Sequence, residues 1–388
     1  MKRWAAAVAL LAAACGGGGG RRAASADTDA ADRGHELYSE GKLDAAEREL
    51  ASVVSRDSGN TLARRILGRI YLLKGRYRES SEQFLSYVTL LRTKETPVDG
   101  MAVQDLFWAF YRMDDYANAS KAAGMIDASV FAVKYGDMAR RGSPYTAEWK
   151  EGSAVLSFEG SGTATVRINR IPGRFAIDFG AGEITLAREY AKDAGVRVVG
   201  VPSPGVERIE QAVVESVDLP GVQIRNVPVV VGEVPAGVDG VLGVGLLSHM
   251  QTTVDLRRQR AVLRPGGTPA REGESWPLLF AGDRTLLAPA RIDGIDTHVI
   301  VCPTTRGMKF IPSQAMRLEK ARLNPRQPRL ERVEVGSLSW AVDDQSPEKF
   351  PAGVDVAYGF TIGGMLGAEA FRNKSVTFDF KAMKIVVE

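Results

Sequence analysis

The feature that most constrains this chain is an internal duplication. Shifting the sequence by 124 residues lays its second half on its first. Arg167-Ile168 falls on Arg291-Ile292, Ile177 on Val301, and Gly240-Val241-Leu242-Gly243 on Gly364-Met365-Leu366-Gly367. Leu247 falls on Phe371, and Val254-Asp255 on Phe378-Asp379. The register holds with no net gap, so the halves read as two lobes of one β-rich unit, expected at 150–266 and 274–388.

Each lobe offers the same order of elements. A strand from Thr163 to Arg170 precedes "RFAIDFGAGEITL" (Arg174 to Leu186), which reads as an apolar strand, an acid at Asp178 and a Gly-rich turn. The next segment, "TLAREYAKDAG", is expected to be a helix stopped by Gly195. Alternating strands "AVVESVDL" and "VQIRNVPVVV" flank a Pro220-Gly221 turn. "GVLGVGLLSHM" predicts an apolar strand and a short helix, and "TTVDLRRQRAVLRP" two closing strands.

Upstream lies a shorter repeat. "GHELYSEGKLDAAERELASVV" and "GRIYLLKGRYRESSEQFLSYV" align at a spacing of 34, pairing Leu37 with Tyr71, Gly41 with Gly75, Leu43 with Tyr77 and Leu50 with Phe84. Each unit is helix, Gly turn, helix. "VQDLFWAFYRMDDYANASKAAGM" fits as a third unit with about five extra residues and no turn glycine. The pattern, over 31–142, resembles tetratricopeptide repeats. That resemblance implies a stacked helical scaffold that either docks a protein partner or serves as a spacer for the β lobes.

The first residues are not expected to be part of the fold. Met1-Lys2-Arg3 is basic, "WAAAVALLAAA" is too short an apolar run to span a bilayer, and it ends at Cys15. This order resembles a bacterial lipobox. It implies a signal peptide over 1–15, lipidation at Cys15, a flexible tether over 16–30, and an envelope lipoprotein of the outer membrane facing the periplasm. Membrane contact is expected through that anchor alone. The alternative is an ordinary signal peptide with an incidental cysteine.

Composition excludes little else. The sequence is 45% hydrophobic and 25% charged with a formal net charge of +3, and no basic block interleaved with aromatics marks it as a nucleic-acid binder. His35 and His249 have no ligand cluster around them, so neither a metal nor another cofactor is expected. The second cysteine, Cys302, leaves no intramolecular disulfide to form in the mature fold.

The lobe order resembles the pepsin and retropepsin superfamily of aspartic peptidases. In that family each lobe carries Asp-Thr-Gly or Asp-Ser-Gly after an apolar pair, and later a hydrophobic-hydrophobic-Gly triplet. Here the first lobe offers Ile177-Asp178-Phe179-Gly180-Ala181 with Val241-Leu242-Gly243; the second offers Val301-Cys302-Pro303-Thr304-Thr305 with Met365-Leu366-Gly367. The resemblance implies a multidomain chain, helical repeats followed by a two-lobed, mainly-β peptidase-like domain. It also implies an inter-lobe cleft for a peptide segment and a catalytic role for Asp178.

Three departures follow. Phe179 has no hydroxyl, Cys302 stands where a second Asp is expected, and Thr304 takes a glycine position. Hydrolysis in this class needs two carboxylates that share a proton, one acting as base and the other as acid. The residue after each Asp normally supplies a hydroxyl that ties the turns together, and neither Phe179 nor Pro303 has one.

Other chemistries fit less well. Cys302 as a nucleophile would need a base, and His298, on the same presumed strand, is about 13 Å away. The "DFG" triplet lacks the Gly-rich loop and HRD-type loop of a kinase. Asp255 and Asp379, just before turns, fit capping. Asp178 can itself be a turn carboxylate accepting backbone N–H groups. The expectation is a catalytically impaired peptide-binding relative of the peptidases. The alternatives are an active endopeptidase using Asp178, assembled by homodimerisation, and a structural envelope scaffold docking partners through the repeats.

Overall fold

A computed structural model describes residues 23–126, 128–158, 163–200, 210–269, 272–305, 310–342 and 353–388. Cys15 and the expected signal peptide lie outside the described residues.

The N-terminal part is helical: α1 (Ala23–Ser39), α2 (Leu43–Arg56), α3 (Thr61–Leu73), α4 (Tyr77–Thr93), α5 (Gly100–Arg112), α6 (Tyr116–Gly124) and α7 (Ser129–Arg140). The first helix begins at Ala23, inside the stretch expected to be tether, because Ala30 and Ala31 pack into the core of the helical stack. Apolar residues at helical spacing (Leu43, Ala46, Leu50, Val53) bury one face of α2. Asn60 and Asp99 cap α3 and α5 by accepting N–H bonds.

The turns between paired helices share one hydrogen-bond pattern. Gly41 N–H donates to Tyr38 O and Lys42 N–H to Leu37 O; Gly75 and Arg76 do the same to Leu72 and Tyr71, and Asp114 and Asp115 to Tyr111 and Phe110. The first residue of each turn is left-handed, with φ of 75° at Gly41, 75° at Gly75 and 57° at Asp114. Glycine adopts this conformation freely and aspartate tolerates it, so the third turn forms without a glycine.

The first lobe contains β1 (Thr146–Trp149), β2 (Ala154–Ser157), β3 (Ala164–Ile168), β4 (Ile171–Ile177), β5 (Ile184–Ala187), α8 (Arg188–Asp193), β6 (Val198–Gly200), β7 (Glu210–Leu219), β8 (Val222–Gly232), β9 (Gly240–Leu242), α9 (Val244–Leu247), β10 (Met250–Asp255) and β11 (Arg260–Pro265). The second contains β12 (Glu274–Pro277), β13 (Leu279–Ala281), β14 (Thr285–Ile292), β15 (Ile295–Val301), α10 (Gln314–Leu323), β16 (Arg332–Val335), β17 (Leu338–Ala341), β18 (Ile362–Leu366), β19 (Ser375–Asp379) and β20 (Lys384–Val387).

Two expectations are corrected here. Thr185–Ala187 is not the start of a helix but the end of strand β5, which pairs in parallel with β8 and antiparallel with β9. Ile184 and Leu186 alternate inward as a strand requires, so tertiary pairing overrides the helical spacing, and α8 is confined to six residues. Strand β1 lies ahead of residue 150, where the first lobe was expected to begin, and pairs with β8.

Among the described residues, the first lobe's sheet runs β1-β8-β5-β9-β4-β3-β7-β6, and the additional β7–β8 pairing closes its centre into a barrel. The second lobe is an open sheet, β17-β16-β14-β15-β18, with β13 on β14. A third sheet, β12-β20-β19-β10-β11-β2, joins the lobes. At its centre Thr253 pairs with Thr377, residues related by the 124-residue shift, and their hydroxyls bond at 2.8 Å. A local twofold relation between the lobes therefore passes through this pair.

The helical part docks on the β lobes through its row of turns. Gly41 lies against His298, Gly75 against Met383, and Asp114 Oδ1 accepts a bond of 3.0 Å from the His249 ring. Arg112 donates to Gly282 O and Asp283 O at 3.0 and 3.1 Å and lies over the Phe280 ring at 3.5 Å. The deepest contact is Lys134 of α7. Its side chain is fully buried, and its ammonium bonds Glu183, Gln211 Oε1 (2.9 Å) and Val229 O (2.9 Å).

A buried ammonium is tolerated only when its donors are met, and here three acceptors meet them. Lys134→Met leaves Glu183 without its counter-charge and should cost about 3–5 kcal/mol in a urea or thermal unfolding measurement. Adding Glu183→Gln, which keeps an acceptor and removes the charge, should restore part of that loss. Equal stability of Lys134→Met and wild type would reject the ion pair as a buried one.

His298 gives a pH signature for the same junction. Burial holds its pKa down from 6.5 to about 4, so the folded state keeps the ring neutral. The unfolded chain takes up the proton first as pH falls. The stability present above the unfolded value of 6.5 is therefore lost between pH 6.5 and about 4, by roughly 3 kcal/mol. Melting curves across that window should fall more steeply for wild type than for His298→Phe.

Candidate functional site

The candidate site is the pair of turns that leave β4 and β15. Each strand runs parallel to the strand of the downstream apolar triplet: Phe175-Ala176-Ile177 beside Gly240-Val241-Leu242, and Val299-Ile300-Val301 beside Gly364-Met365-Leu366. The hydrogen bonds repeat with the same 124-residue shift. Asp178 N–H donates to Leu242 O (3.0 Å), Ala181 N–H to Asp178 O (3.2 Å) and Val244 N–H to Ala181 O (2.9 Å). Cys302 N–H donates to Leu366 O (3.0 Å), Thr305 N–H to Cys302 O (3.1 Å) and Ala368 N–H to Thr305 O (3.1 Å). Gly243 makes the fit possible, because a Cβ there would lie 2.1 Å from Gly182 O.

The two turns meet. A Cβ placed on Gly180 would lie 3.2 Å from Asp178 Oδ1 and 3.6 Å from Cys302 Sγ, so carboxylate and thiol flank one point. Asp178 is half-buried, and its Oδ1 accepts from Gly180 N–H at 2.8 Å. Cys302 is buried at 2% exposure, and Thr305 Oγ1 donates to its sulfur at 2.7 Å. Burial pushes the Cys302 thiol up from its usual value, and the negative charge of Asp178 adds to the shift. The position facing Asp178 thus holds a neutral thiol.

The brace between the turns corrects the sequence reading. Neither Phe179 nor Pro303 supplies a hydroxyl, but Thr304, one residue farther along, does. Its Oγ1 accepts from Phe179 N–H at 2.8 Å and donates to Asp178 Oδ1 at 3.2 Å. A single hydroxyl thereby ties the first turn's backbone and its carboxylate to the second turn. The 124-residue alignment sets Thr304 opposite Gly180, which hid the role. A threonine within two residues of Cys302 was the available signal.

Phe179 serves packing instead. It is 1% exposed and stacks on Phe378 with ring centroids 4.4 Å apart, beneath the turns. Gly180 is exposed, Ala181 is half-buried, and Pro303 is buried without an N–H to offer. His298 lies elsewhere, against Phe360 at a centroid distance of 5.0 Å, and no bond joins it to Cys302. Asp255 and Asp379 do cap turns, accepting from Arg258 N–H and Ala382 N–H, each at 2.9 Å.

Sequence reasoning missed the second support of the first turn. Glu183, five residues after Asp178, accepts from Tyr135 Oη (2.8 Å), Tyr111 Oη (3.2 Å) and Lys134. All three donors come from the helical part. Burial raises the phenol pKa of both tyrosines well above the usual value, so they remain donors. Among the described residues no group of three or more His, Cys, Asp or Glu is arranged to hold a metal.

Residues 164–246 match the model of a family described as "Aspartyl protease". The match spans Asp178 and the Val241-Leu242-Gly243 triplet, and the chain therefore contains an aspartic-peptidase-like domain. No curated protein matches the chain. Similar solved structures include a retropepsin-like aspartic protease from Rickettsia conorii, at 19% identity over 31% of this chain and 94% of that one, with a TM-score of 0.25. An aspartic proteinase from Irpex lacteus matches at 10% identity over 62% of this chain and 97% of that one (TM-score 0.41). Basic 7S globulin from soybean matches at 11% identity over 63% and 95% (TM-score 0.36).

Among the described residues the arrangement supplies one carboxylate, Asp178, with an oriented hydrogen-bond shell, and no second acid bonded to it. The Thr304 brace can be tested directly. Thr304→Val leaves the Phe179 N–H without its acceptor and should cost about 1–3 kcal/mol of unfolding free energy. Thr304→Ser should retain most of the stability. Equal losses for Val and Ser would show that the hydroxyl is not the tie.

Proposed function

We propose that the β lobes form a catalytically impaired, peptide-binding relative of the aspartic peptidases. The observation that carries this reading is that Asp178 faces the buried thiol of Cys302. Like charges held close push two carboxylate pKa values apart, which yields one acid and one base. A thiol whose pKa is raised by burial does not enter that exchange. The turns are nonetheless built and braced, so the groove between the lobes keeps its shape for an extended peptide segment.

Homodimerisation through the first lobe would bring a second Asp178 to the site only by displacing the second lobe. That lobe is held through the β10–β19 pairing, which argues for the impaired reading over the active one. The helical repeats act first as a support for the first turn, through Glu183. Their row of turns is already committed to the β lobes, so a protein partner would use the opposite side of the stack. The basic, apolar and small-residue order ending at Cys15 supports an outer-membrane lipoprotein facing the periplasm.

Purified protein should show no acid-optimum peptidase activity that Asp178→Asn removes, while affinity for a bound peptide should survive that change. Cys302→Asp alone should move the site toward acid-optimum cleavage, because Thr304 already braces the turns and Phe179 is needed in the core. Cleavage gained in Cys302→Asp should vanish on adding Asp178→Asn. A wild-type turnover abolished by Asp178→Asn would overturn the proposal.

A further inference from the structure

The inter-lobe sheet has two unlike faces. Strand alternation points Thr252, Val254 and Phe378 into the core beneath the turns, and Thr253, Asp255 and Thr377 to the opposite side. On that opposite side, at the first lobe's end, lies a concavity of about 240 Å³. Arg257, Arg258, Arg260, Arg264 and Lys374 line it, and they face the carboxylates of Asp255 and Glu388. Asp255 is engaged by Arg258, whose backbone N–H and guanidinium reach it at 2.9 and 3.3 Å. Arg257 and Lys374 have no ion-pair partner among the described residues. Arg260 Nε is buried and has no hydrogen-bond partner among the described residues.

A buried donor without an acceptor is costly, and natural structures rarely leave one unmet. The duplicated turn at the other end of the same sheet makes the contrast clear. There Ala382 occupies the place of Arg258, Lys384 that of Arg260 and Glu388 that of Arg264. At that end Lys381 takes the place of Arg257, Met383 packs against Gly75 of the helical stack, and the concavity beside the turn, of about 210 Å³, is lined largely by aromatic and uncharged residues. The concavity at the first lobe's end is lined by more cations, and its floor carries the hydroxyls of Thr253 and Ser375.

We propose that this concavity binds a phosphate-bearing ligand. Arginine forks match the tetrahedral oxygens of phosphate in pairs, and four of the five cations here are arginines. A phosphate oxygen would supply the acceptor that Arg260 Nε lacks, and its charge would offset the cationic excess. The site is separate from Asp178 and Cys302, which lie over the sheet's other face.

The test uses the full chain carrying Cys15→Ala, so that no lipid anchor contributes. Inorganic pyrophosphate, titrated at constant ionic strength, should bind saturably by calorimetry and raise the melting temperature. The Arg257→Ala/Arg258→Ala double variant and Arg260→Met should each weaken binding about tenfold or more. Arg167→Ala/Arg170→Ala, in an unrelated basic patch, should bind as wild type. Non-saturable binding, or equal affinity in the groove variants, would overturn the proposal. Sedimentation with phosphatidylglycerol vesicles but not phosphatidylcholine vesicles, lost in the groove variants, would assign the phosphate to a lipid headgroup. Pyrophosphate binding without such sedimentation would assign it to a soluble phosphoester.

Discussion

The pairing of β10 with β19 is the constraint on which the rest depends. Equivalent residues of the two lobes, Thr253 and Thr377, face each other across it. This register fixes the relation between the lobes, and with it the meeting of the turns that follow β4 and β15. A slip of one residue would turn Phe378 out of the core and Thr377 into it. Phe179 would then lose the ring it stacks on, and the carboxylate of Asp178 would lose its fixed height above the sheet.

The helical stack adds a constraint of a different kind. Glu183 follows the Asp178 turn closely in sequence, and its donors come from α5 and α7 rather than from either lobe. Lys134 also holds Gln211, at the start of β7, and Val229 O of β8. One ammonium thus links the Asp178 turn to two strands of the barrel. Severing it costs far more than an exposed ion pair would, because the acid it leaves behind stays out of water. The helices are therefore part of the support of the site, and the spacer reading of the repeats understates them.

Much of this was legible in the sequence where the signal repeats. The 124-residue shift placed Cys302 opposite Asp178, and the backbone hydrogen bonds repeat with the same shift. The 34-residue spacing located the turns at Gly41 and Gly75, both left-handed in the fold. What was not legible is long-range and singular. Lys134 and Glu183 are single charges in unrelated segments, and no pattern pairs them. Thr185–Ala187 carries apolar spacing compatible with a helix, and its neighbours β8 and β9 make it a strand. Thr304 sits one residue beyond the expected hydroxyl, so a strict alignment pairs it with a glycine and conceals it.

That displaced hydroxyl decides how the site should be understood. A brace lost along with the second acid would leave two turns free to drift, and the groove would have no defined shape. Here a thiol stands opposite Asp178 and the brace is supplied by Thr304, which holds both the Phe179 N–H and Asp178 Oδ1. The bond to Asp178 carries a further consequence. Thr304 Oγ1 and Gly180 N–H both donate to Asp178 Oδ1, so the carboxylate is held in one orientation between the turns. On the proposed reading that carboxylate belongs to the brace, and recognition of a peptide falls to the strands beside the turns rather than to Asp178 itself.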